Sequence, residues 1–487
     1  MGAINGKDFL NRIGRLTPEI WLNGEAIETP ITEHAAFRGL LTTKAALYDY
    51  QLSPDHLMNM TYNSPLTDER VGLSFLQPIS KEDLQGRRQM IEQWARQTCG
   101  LMGRSPDYLN TVLMSFASSS SYLNEKENCF PEHVQSLYER AREQDLTFTH
   151  TFIAPQVNRS SFYFESADEP ISAKIVGTSD EGLIIKGAKL LATQGGLTDE
   201  VLVFSTPTLF SDPNESFAFA IPSDTKGLRF ICRESFAKNE ATFNYPLSSR
   251  FEEMDSIVVF DHVIVPWERV FFYRNTEVAS NFFSVSSFHP FAIHQVITRQ
   301  VVKTEFVLSV AKQLVNTINV GEYQHIQGKL AEIIVGLETM KALLDKSEQD
   351  ASLDKWGYMR PSIIPLQVAS NIFPAIYPRF SEIIQLIGAS GMITLPTKND
   401  FLSEIGDDLN HYLQAATTSA EDRVKIFRLA WDLTMSPFGT RQTQYERFFF
   451  GDPIRLANSL SKSYCTEGGT KMIEQILALK VEGTGDC

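Results

Sequence analysis

The sequence lacks the features by which membrane-spanning, secreted and nucleic-acid-binding proteins are usually recognised. It has no run of about 18 apolar residues, so no segment is expected to cross a membrane. Its first residues show no charged stretch followed by an apolar one, which is unlike a secretory signal peptide. The formal net charge of -15 at pH 7, with no basic run, argues against nucleic-acid or anionic-membrane partners.

Cysteine is scarce and scattered. The five cysteines are Cys99, Cys129, Cys232, Cys465 and Cys487, and no two form a CxxC pair. Such an odd, dispersed set predicts reduced thiols in a cytoplasmic protein rather than a disulfide framework. The two histidines at 289 and 294 are five residues apart, a poor spacing for a metal pair on a helix. We therefore predict no metal site.

Several common cofactor and catalytic motifs are also missing. No GxGxxG follows a predicted strand, which argues against a Rossmann dinucleotide site. The stretch from Gly182 to Gly187 begins like a P-loop, but Ala188 stands where the phosphate-binding lysine is required. Neither GxSxG nor HExxH occurs. If a flavin binds here, it binds without the usual dinucleotide fold.

What is present indicates a globular enzyme of two or three domains. The chain has 487 residues, of which 43% are hydrophobic and 21% charged. Helical spacing of apolar residues dominates both ends, whereas short β-type runs such as 200–204 and 217–221 fill the middle without alternating helices. We predict an α+β protein with an N-terminal helical domain (1–147), a central antiparallel β-domain (148–275) and a C-terminal helical bundle (276–487).

Two short stretches carry the candidate chemistry. In the first, Ser105 and Pro106 predict the start of a helix, so that Arg104 lies just before it and Tyr108 on its first turn, both facing one cavity. The alternative is that Arg104 pairs with a surface carboxylate and Tyr108 merely packs. The second stretch, 148–160, offers an imidazole, hydroxyls, amides and a guanidinium around a proline. It suits a ligand with many acceptors such as a flavin, or it is simply an interdomain linker.

Four motifs together resemble one family. They are Met-Gly-Arg-Ser-Pro-Asp-Tyr at 102–108, Thr-His-Thr at 149–151 with Pro-Gln-Val-Asn-Arg-Ser at 155–160, Phe-Asp-His-Val-Ile-Val-Pro-Trp at 260–267, and Tyr-Glu-Arg at 445–447 with Gly-Asp-Pro at 451–453. Over nearly the whole chain the sequence resembles the oxygenase components of 4-hydroxyphenylacetate 3-monooxygenase, in particular the shorter, Bacillus-type members. The resemblance implies an acyl-CoA dehydrogenase-like fold.

The resemblance also implies an activity. Members of this family use FADH2, made by a separate NADH-dependent reductase, together with O2. A flavin C4a-hydroperoxide then hydroxylates a phenol at the ortho position, converting 4-hydroxyphenylacetate to 3,4-dihydroxyphenylacetate. The resemblance further implies a homotetramer built on the C-terminal helices. The reductase is an expected partner, although flavin diffusion alone would connect the two enzymes.

By matching motifs, the resemblance assigns roles to individual residues. Three would act in catalysis around the phenolic oxygen: Arg104, Tyr108 and His150. The flavin would be lined by His150, Thr151, Phe152, Ile153, Gln156, Arg159 and Thr193, with Gly451, Asp452 and Pro453 at its far end. Ser205 and Thr206 would contact the substrate together with the three catalytic residues.

Other functions stay open on sequence alone. The same chemistry would serve a halophenol or a larger phenol. A flavin-independent CoA-ester enzyme and a non-catalytic relative are alternatives of a different class. A sister branch, the 4-hydroxybutyryl-CoA dehydratases, holds an iron–sulfur cluster, but here Gly103 stands in the place of its second cysteine and Arg299 is no ligand.

Overall fold

The computed structural model describes residues 2–28, 30–155, 170–205, 212–237 and 242–477. Helices form the first part, two β-sheets the middle and long helices the last part. This confirms the predicted α+β class and the order expected of an acyl-CoA dehydrogenase-like fold. The boundaries after residues 147 and 275 stay predictions. No helix in the described ranges is long and apolar enough to cross a membrane.

The first part is a cluster of helices with two small hairpins. Its helices are α1 (Gly6–Ile13), α2 (Ala35–Leu52), α3 (Leu57–Met60), α4 (Lys81–Gln97), α5 (Pro106–Ser118) and α6 (Pro131–Gln144). Its strands are β1 (Glu19–Leu22), β2 (Glu25–Ala26), β3 (Thr61–Asn63) and β4 (Arg70–Gly72). Ser80 starts α4 through a capping box with Asp83, because each side chain accepts a hydrogen bond from the other residue's backbone N–H.

The middle part contains most of two sheets packed around an apolar interior. Its strands are β5 (Phe148–Thr151), β6 (Lys174–Thr178), β7 (Gly182–Thr193), β8 (Glu200–Phe204), β9 (Phe217–Pro222), β10 (Leu228–Cys232), β11 (Asp255–Pro266) and β12 (Val270–Tyr273), with a short helix α7 (Ser248–Phe251). The larger sheet has the order β2-β1-β10-β11-β7-β6 and the smaller β12-β9-β8-β5. Most pairs are antiparallel as predicted, but β1 joins β10 and β5 joins β8 in parallel.

The last part is helical. It comprises α8 (Thr276–Val285), α9 (Phe288–Thr317), α10 (Gln324–Gln349), α11 (Ile363–Gly388), α12 (Lys398–Phe401), α13 (Gly406–Tyr412), α14 (Ala420–Thr434), α15 (Pro437–Phe448), α16 (Pro453–Ser463) and α17 (Glu467–Leu477), with a minor hairpin of β13 (Ser352–Leu353) and β14 (Met359–Arg360). The helix α9 is central, because it contacts α4 and α5 of the first part as well as α10, α11 and α14.

One expectation about the cysteines is wrong. Cys99, Cys129 and Cys232 are free thiols, as predicted. Cys465, however, is disulfide-bonded. The scattered cysteines include no CxxC pair, so their spacing gave no sign of this bond.

Candidate active site

Arg104 lies against aromatic rings at the start of α5. The helix begins at Pro106, as predicted, although the Ser105 hydroxyl donates to the Asp107 carboxylate at 2.5 Å instead of capping the backbone. The guanidinium carbon of Arg104 is 4.4 Å from the ring centroid of Tyr108 and 4.5 Å from that of Phe449. Among the described residues no carboxylate pairs with this guanidinium, which donates only to the Gly103 carbonyl. The surface ion pair considered as an alternative is therefore absent there.

The backbone before α5 is held by buried side chains. The Glu253 carboxylate, which is fully buried, accepts hydrogen bonds from the N–H groups of Gly103 at 2.8 Å and Arg104 at 2.7 Å. The side-chain amide of Gln194 donates to the Arg104 carbonyl at 2.9 Å. Gln194 has a φ of 64°, in the left-handed region, directly after β7. The turn that follows β7 thus reaches back to fix the position of Arg104.

His150 faces Tyr108 from the edge strand β5. Their ring centroids are 5.9 Å apart, and the imidazole stacks on Phe152 at 5.5 Å with an interplanar angle of 12°. The Nδ1 atom is buried and has no hydrogen-bond partner among the described residues. Burial lowers the pKa of His150 well below its usual value, and the nearby Arg104 cation lowers it further. The imidazole is therefore neutral at pH 7 and one of its nitrogens can accept a proton.

Other buried polar atoms near His150 and Arg104 also have no hydrogen-bond partner among the residues that the structure describes. They are the Thr151 hydroxyl, which follows His150 on β5, and the Tyr445 hydroxyl on α15. Buried polar groups are normally hydrogen-bonded, so an unpaired cation, an imidazole nitrogen and two hydroxyls indicate that a polar ligand completes the site. A flavin ring beside a phenol supplies such donors and acceptors, and the residues present therefore fit that cofactor.

Thr193 and Ser205 use their hydroxyls within the protein. The Thr193 hydroxyl donates to Asp255 at 2.8 Å, and the Thr193 carbonyl accepts from Thr149 at 2.6 Å. The Ser205 hydroxyl donates to the Phe217 carbonyl at 2.7 Å and accepts from the Phe217 N–H at 2.6 Å. Ile153 is tied to β7, because its carbonyl accepts from the Leu190 N–H at 2.7 Å. Thr193 and Ser205 would therefore contact a flavin or a substrate through the remaining lone pairs of their hydroxyl oxygens.

For six predicted site residues the structure shows no link to this cluster or does not describe the residue. Gln156, Arg159 and Thr206 lie outside the described residues. Asp452 caps α16, because its side chain accepts from the Ile454 N–H at 3.3 Å, and Pro453 is the first residue of that helix. Gly451 adopts a φ of 96° next to it. The flavin role of these three residues stays a prediction.

The sequence did not reveal the buried charges behind the site. The Glu446 carboxylate, fully buried on α15, accepts from Arg299 at 2.8 Å and from Lys303 at 2.7 Å. Tyr445 and Phe449 are on the same helix, so this cluster sets where their rings lie. The Tyr-Glu-Arg motif was the available signal, but a lone charged residue in a helix normally predicts a solvated surface.

Comparison with known proteins identifies the family. The family model for the N-terminal part of 4-hydroxyphenylacetate 3-hydroxylase matches residues 5–272. The model for the C-terminal part of the same enzyme matches residues 279–478. The chain belongs to the 4-hydroxyphenylacetate 3-hydroxylase family. A probable 4-hydroxyphenylacetate 3-monooxygenase of Bacillus subtilis is 62% identical over 99% of this chain and 100% of its own length. The oxygenase component from Thermus thermophilus is 43% identical over 98% of each chain.

Solved structures of this hydroxylase family agree with the sequence comparison. The crystal structure of an oxygenase component complexed with FAD and 4-hydroxyphenylacetate has a TM-score of 0.92 to this chain, at 42% identity and 98% coverage of both. An archaeal 4-hydroxybutyryl-CoA dehydratase has a TM-score of 0.87 at 19% identity, covering 99% of this chain and 96% of its own, which reflects a shared fold.

Two observations bear on the alternative functions. A 4-nitrophenol 2-monooxygenase oxygenase component from Rhodococcus is 30% identical over 92% of this chain and 86% of its own length. No group of three potential metal ligands occurs in the described ranges, and the Arg299 guanidinium is paired with the Glu446 carboxylate. A phenol remains the substrate class that this site suits.

Proposed function

We propose that this chain is the oxygenase component of a two-component flavin monooxygenase acting on 4-hydroxyphenylacetate. The overall reaction consumes the phenol, O2 and FADH2 and yields 3,4-dihydroxyphenylacetate, FAD and water. Family membership supports this proposal, and one structural observation carries it to the residues. His150 has a neutral imidazole and lies beside Arg104. Within the described ranges, one nitrogen of His150 has no hydrogen-bond partner and the Arg104 guanidinium has no carboxylate partner.

The two side chains would act on the phenolic hydroxyl. A phenol becomes more reactive toward electrophilic oxygen as it loses its proton, so an imidazole that accepts this proton promotes the ortho attack. The Arg104 guanidinium stabilises the negative charge that develops on the phenolic oxygen, and the surrounding rings exclude water and strengthen this interaction. Tyr108, which is buried, forms one wall of the same pocket.

Reduced FAD, when bound, supplies the electrons that activate O2. We assign its binding to the segment from His150 to Ile153, to Thr193, and to Gln156 and Arg159. The support is that Thr151 has a buried hydroxyl without a partner among the described residues, while Ile153 is anchored to β7 through its own carbonyl. The protein's part is to orient the flavin and the phenol and to keep water out.

The proposal is tested by supplying reduced flavin from an unrelated NADH:flavin reductase. The purified chain alone should not oxidise NADH, whereas the mixture with FAD should convert 4-hydroxyphenylacetate to the catechol, with about one NADH consumed per product. A panel with 4-nitrophenol, a chlorophenol and tyrosine separates the substrate alternatives. Rapid NADH oxidation by the chain without a reductase would contradict the proposal. Failure to hydroxylate any phenol in the panel would do the same.

The proposed function includes a partner, an assembly and a location. The reductase would deliver FADH2 by diffusion, and a cytoplasmic location follows from the need for NADH-derived reduced flavin. A homotetramer is supported by apolar side chains exposed on the C-terminal helices and the turn between them, such as Val335, Ile393 and Leu402. Light scattering at micromolar concentration should give the mass of four chains, and a clean monomer would contradict this assembly.

A further inference from the structure

A buried lysine lies behind the turn that follows β7. Lys44 on α2 is fully buried, and its Nζ atom donates to Gln194 Oε1 at 3.0 Å and to the Leu197 carbonyl at 3.4 Å. Burial lowers the pKa of Lys44 to about 8, although the Asp199 and Glu253 carboxylates raise it. The side chain is therefore an ammonium at pH 7, and in the described ranges no carboxylate forms an ion pair with it.

The Gln194 amide connects this ammonium to the proposed phenol site. Its Nε2 atom donates to the Arg104 carbonyl at 2.9 Å and to Glu253 Oε1 at 3.1 Å. An ammonium has only donors, so Lys44 pairs with the amide oxygen and leaves the NH2 group of Gln194 for Arg104 and Glu253. Lys44 and Arg104 are thus the two ends of one buried chain of hydrogen bonds.

Both backbone groups of Arg104 are fixed by this arrangement. Its N–H donates to Glu253 at 2.7 Å, and its carbonyl accepts from Gln194 at 2.9 Å. Glu253 is held in turn by Arg441, whose Nη1 atom lies 3.5 Å from Glu253 Oε2. Without Lys44, the buried Gln194 oxygen would lose its donor, and the amide would be free to turn away from Arg104. The direction of the Arg104 side chain therefore depends on a residue of α2.

We propose that Lys44 is a positioning residue for hydroxylation, which acts through Gln194 to hold the Arg104 guanidinium against the phenolic oxygen. Gln194 separates Lys44 from Arg104, so Lys44 acts without touching the phenol. A displaced guanidinium stabilises the charge on the phenolic oxygen less well, and a small misplacement of such a group slows a reaction strongly. This inference rests on the proposed function, because it requires Arg104 to face the phenol.

The test measures the rate of hydroxylation in a single turnover at pH 7. The full-length protein or a variant, with reduced FAD and 4-hydroxyphenylacetate, is mixed with O2. Lys44→Met keeps the length of the side chain but removes its donors. We expect the rate to fall about tenfold, with less catechol formed per flavin oxidised, while the dissociation constant of reduced FAD stays within about twofold of the wild-type value.

A series of phenols distinguishes positioning from general damage. Ring-fluorinated 4-hydroxyphenylacetates have a lower phenol pKa, so their hydroxylation needs less help from Arg104. The loss of rate in Lys44→Met should therefore shrink as the pKa of the phenol falls. A variant that is merely misfolded in part would lose the same fraction of its rate with every phenol. Lys44→Arg, which keeps a cation with several donors, should recover part of the rate.

A double variant shows whether Lys44 acts through Gln194. Gln194→Met alone should slow hydroxylation at least as much as Lys44→Met. If Lys44 acts through this amide, adding Lys44→Met to Gln194→Met lowers the rate no further. Arg38→Met is the matched control, since Arg38 is an exposed cation on the same helix. Thermal melting shows which variants are folded. Lys44→Gln, which is polar but one atom shorter, takes the place of Lys44→Met if that variant does not fold.

The outcomes separate this inference from the proposed function. It is overturned if the Lys44 variant keeps the wild-type rate and catechol yield, if its loss of rate is the same for every phenol, or if the two single losses multiply in the double variant. In each of these cases the wild-type protein can still make the catechol. A wild-type protein that makes no catechol from reduced FAD, O2 and any phenol overturns the proposed function and this inference together.

Discussion

The guanidinium of Arg104 lies over the ring of Tyr108, with 4.4 Å between the guanidinium carbon and the ring centroid. Phe449 covers Arg104 at 4.5 Å, and Tyr445 lies 5.6 Å from it. Aromatic faces hold a cation without neutralising it, unlike a carboxylate. The positive charge of Arg104 is thus kept available for an anionic or strongly polarised group of the substrate.

Arg104→Met should therefore impair chemistry more than folding. We expect kcat/KM for 4-hydroxyphenylacetate to fall by about 10²-fold, since a charge-stabilising group is lost from the transition state. The free energy of unfolding should change by less than about 2 kcal/mol, the range of a cation–π contact. Assays with a reductase and urea unfolding measure both quantities. Arg38→Met, at an exposed site on α2, is the control and should leave both unchanged.

His150→Ala should remove the proton acceptor for the phenol. Hydroxylation should slow by about 10²-fold, or roughly 3 kcal/mol, while flavin binding is largely kept. The electrons of the reduced flavin should then reduce O2 to hydrogen peroxide without hydroxylation. The amount of catechol formed per NADH consumed should therefore fall. Phenols of lower pKa need less assistance and should recover part of the rate and coupling.

The matched control for His150 is His262→Ala, at an exposed position on β11. It should retain wild-type rate and coupling. A His150→Ala enzyme that also keeps wild-type rate and coupling would show that His150 only fills space between Tyr108 and Phe152.

Asp145→Asn should stabilise the protein at alkaline pH. Asp145 is fully buried after α6, and one of its oxygens has no hydrogen-bond partner among the described residues. Burial raises its pKa to about 6. An unfolded aspartate titrates near about 4. The folded state therefore binds the proton more tightly, and this group's contribution to stability is lost as the pH rises through about 6.

At pH 8 the free energy of unfolding of the Asp145→Asn variant should exceed that of the wild type by up to about 3 kcal/mol. This difference should shrink as the pH is lowered toward about 4. Urea unfolding at several pH values measures this difference. Asp261→Asn, at an exposed site, should show no such pH dependence. An Asp145 variant that is less stable than the wild type at pH 8 would contradict the prediction.

Glu446→Gln should be strongly destabilising. It leaves Arg299 and Lys303 buried without their shared carboxylate, and breaking a buried ion pair in this way costs about 3–5 kcal/mol. Burial lowers the pKa of Lys303 to about 8 although Glu446 raises it, so the pKa falls further without Glu446. The part of the loss that is due to Lys303 should therefore shrink as the pH rises toward about 8. Urea unfolding measures the loss. Glu332→Gln, in an exposed pair with Arg379, is the control and should leave the free energy of unfolding nearly unchanged, because solvent screens exposed ion pairs.

Local signals predicted much of the architecture. The start of α5 at Pro106 follows from a residue that fits the first helical turn, and β8 occupies 200–204 as predicted because its apolar run is bounded by turn residues. The gathering of Arg104, Tyr108 and His150 was also expected, through the resemblance to a family rather than through periodicity. These features depend on neighbours in sequence or on motifs that are shared with a known family.

Long-range features were not predictable from the sequence in the same way. The parallel pairing of β1 with β10 joins residues about 210 positions apart, such as Glu19 and Arg229. The hydrogen bonds of Arg441 to Asp255 span 186 positions. A charged residue in a helix normally indicates a solvent-facing position, and nothing nearby in the chain marks it as the partner of a distant carboxylate. The charges that support the site are therefore the part that only the structure reveals.

Gly103 leaves no room for any side chain, because a Cβ atom added there would collide with the Tyr445 ring and its hydroxyl. A Gly103→Ala exchange would thus first have to displace Tyr445 from beside Arg104. The absence of a side chain at position 103 leaves space for the Tyr445 ring, whose centroid lies 5.6 Å from the Arg104 guanidinium carbon.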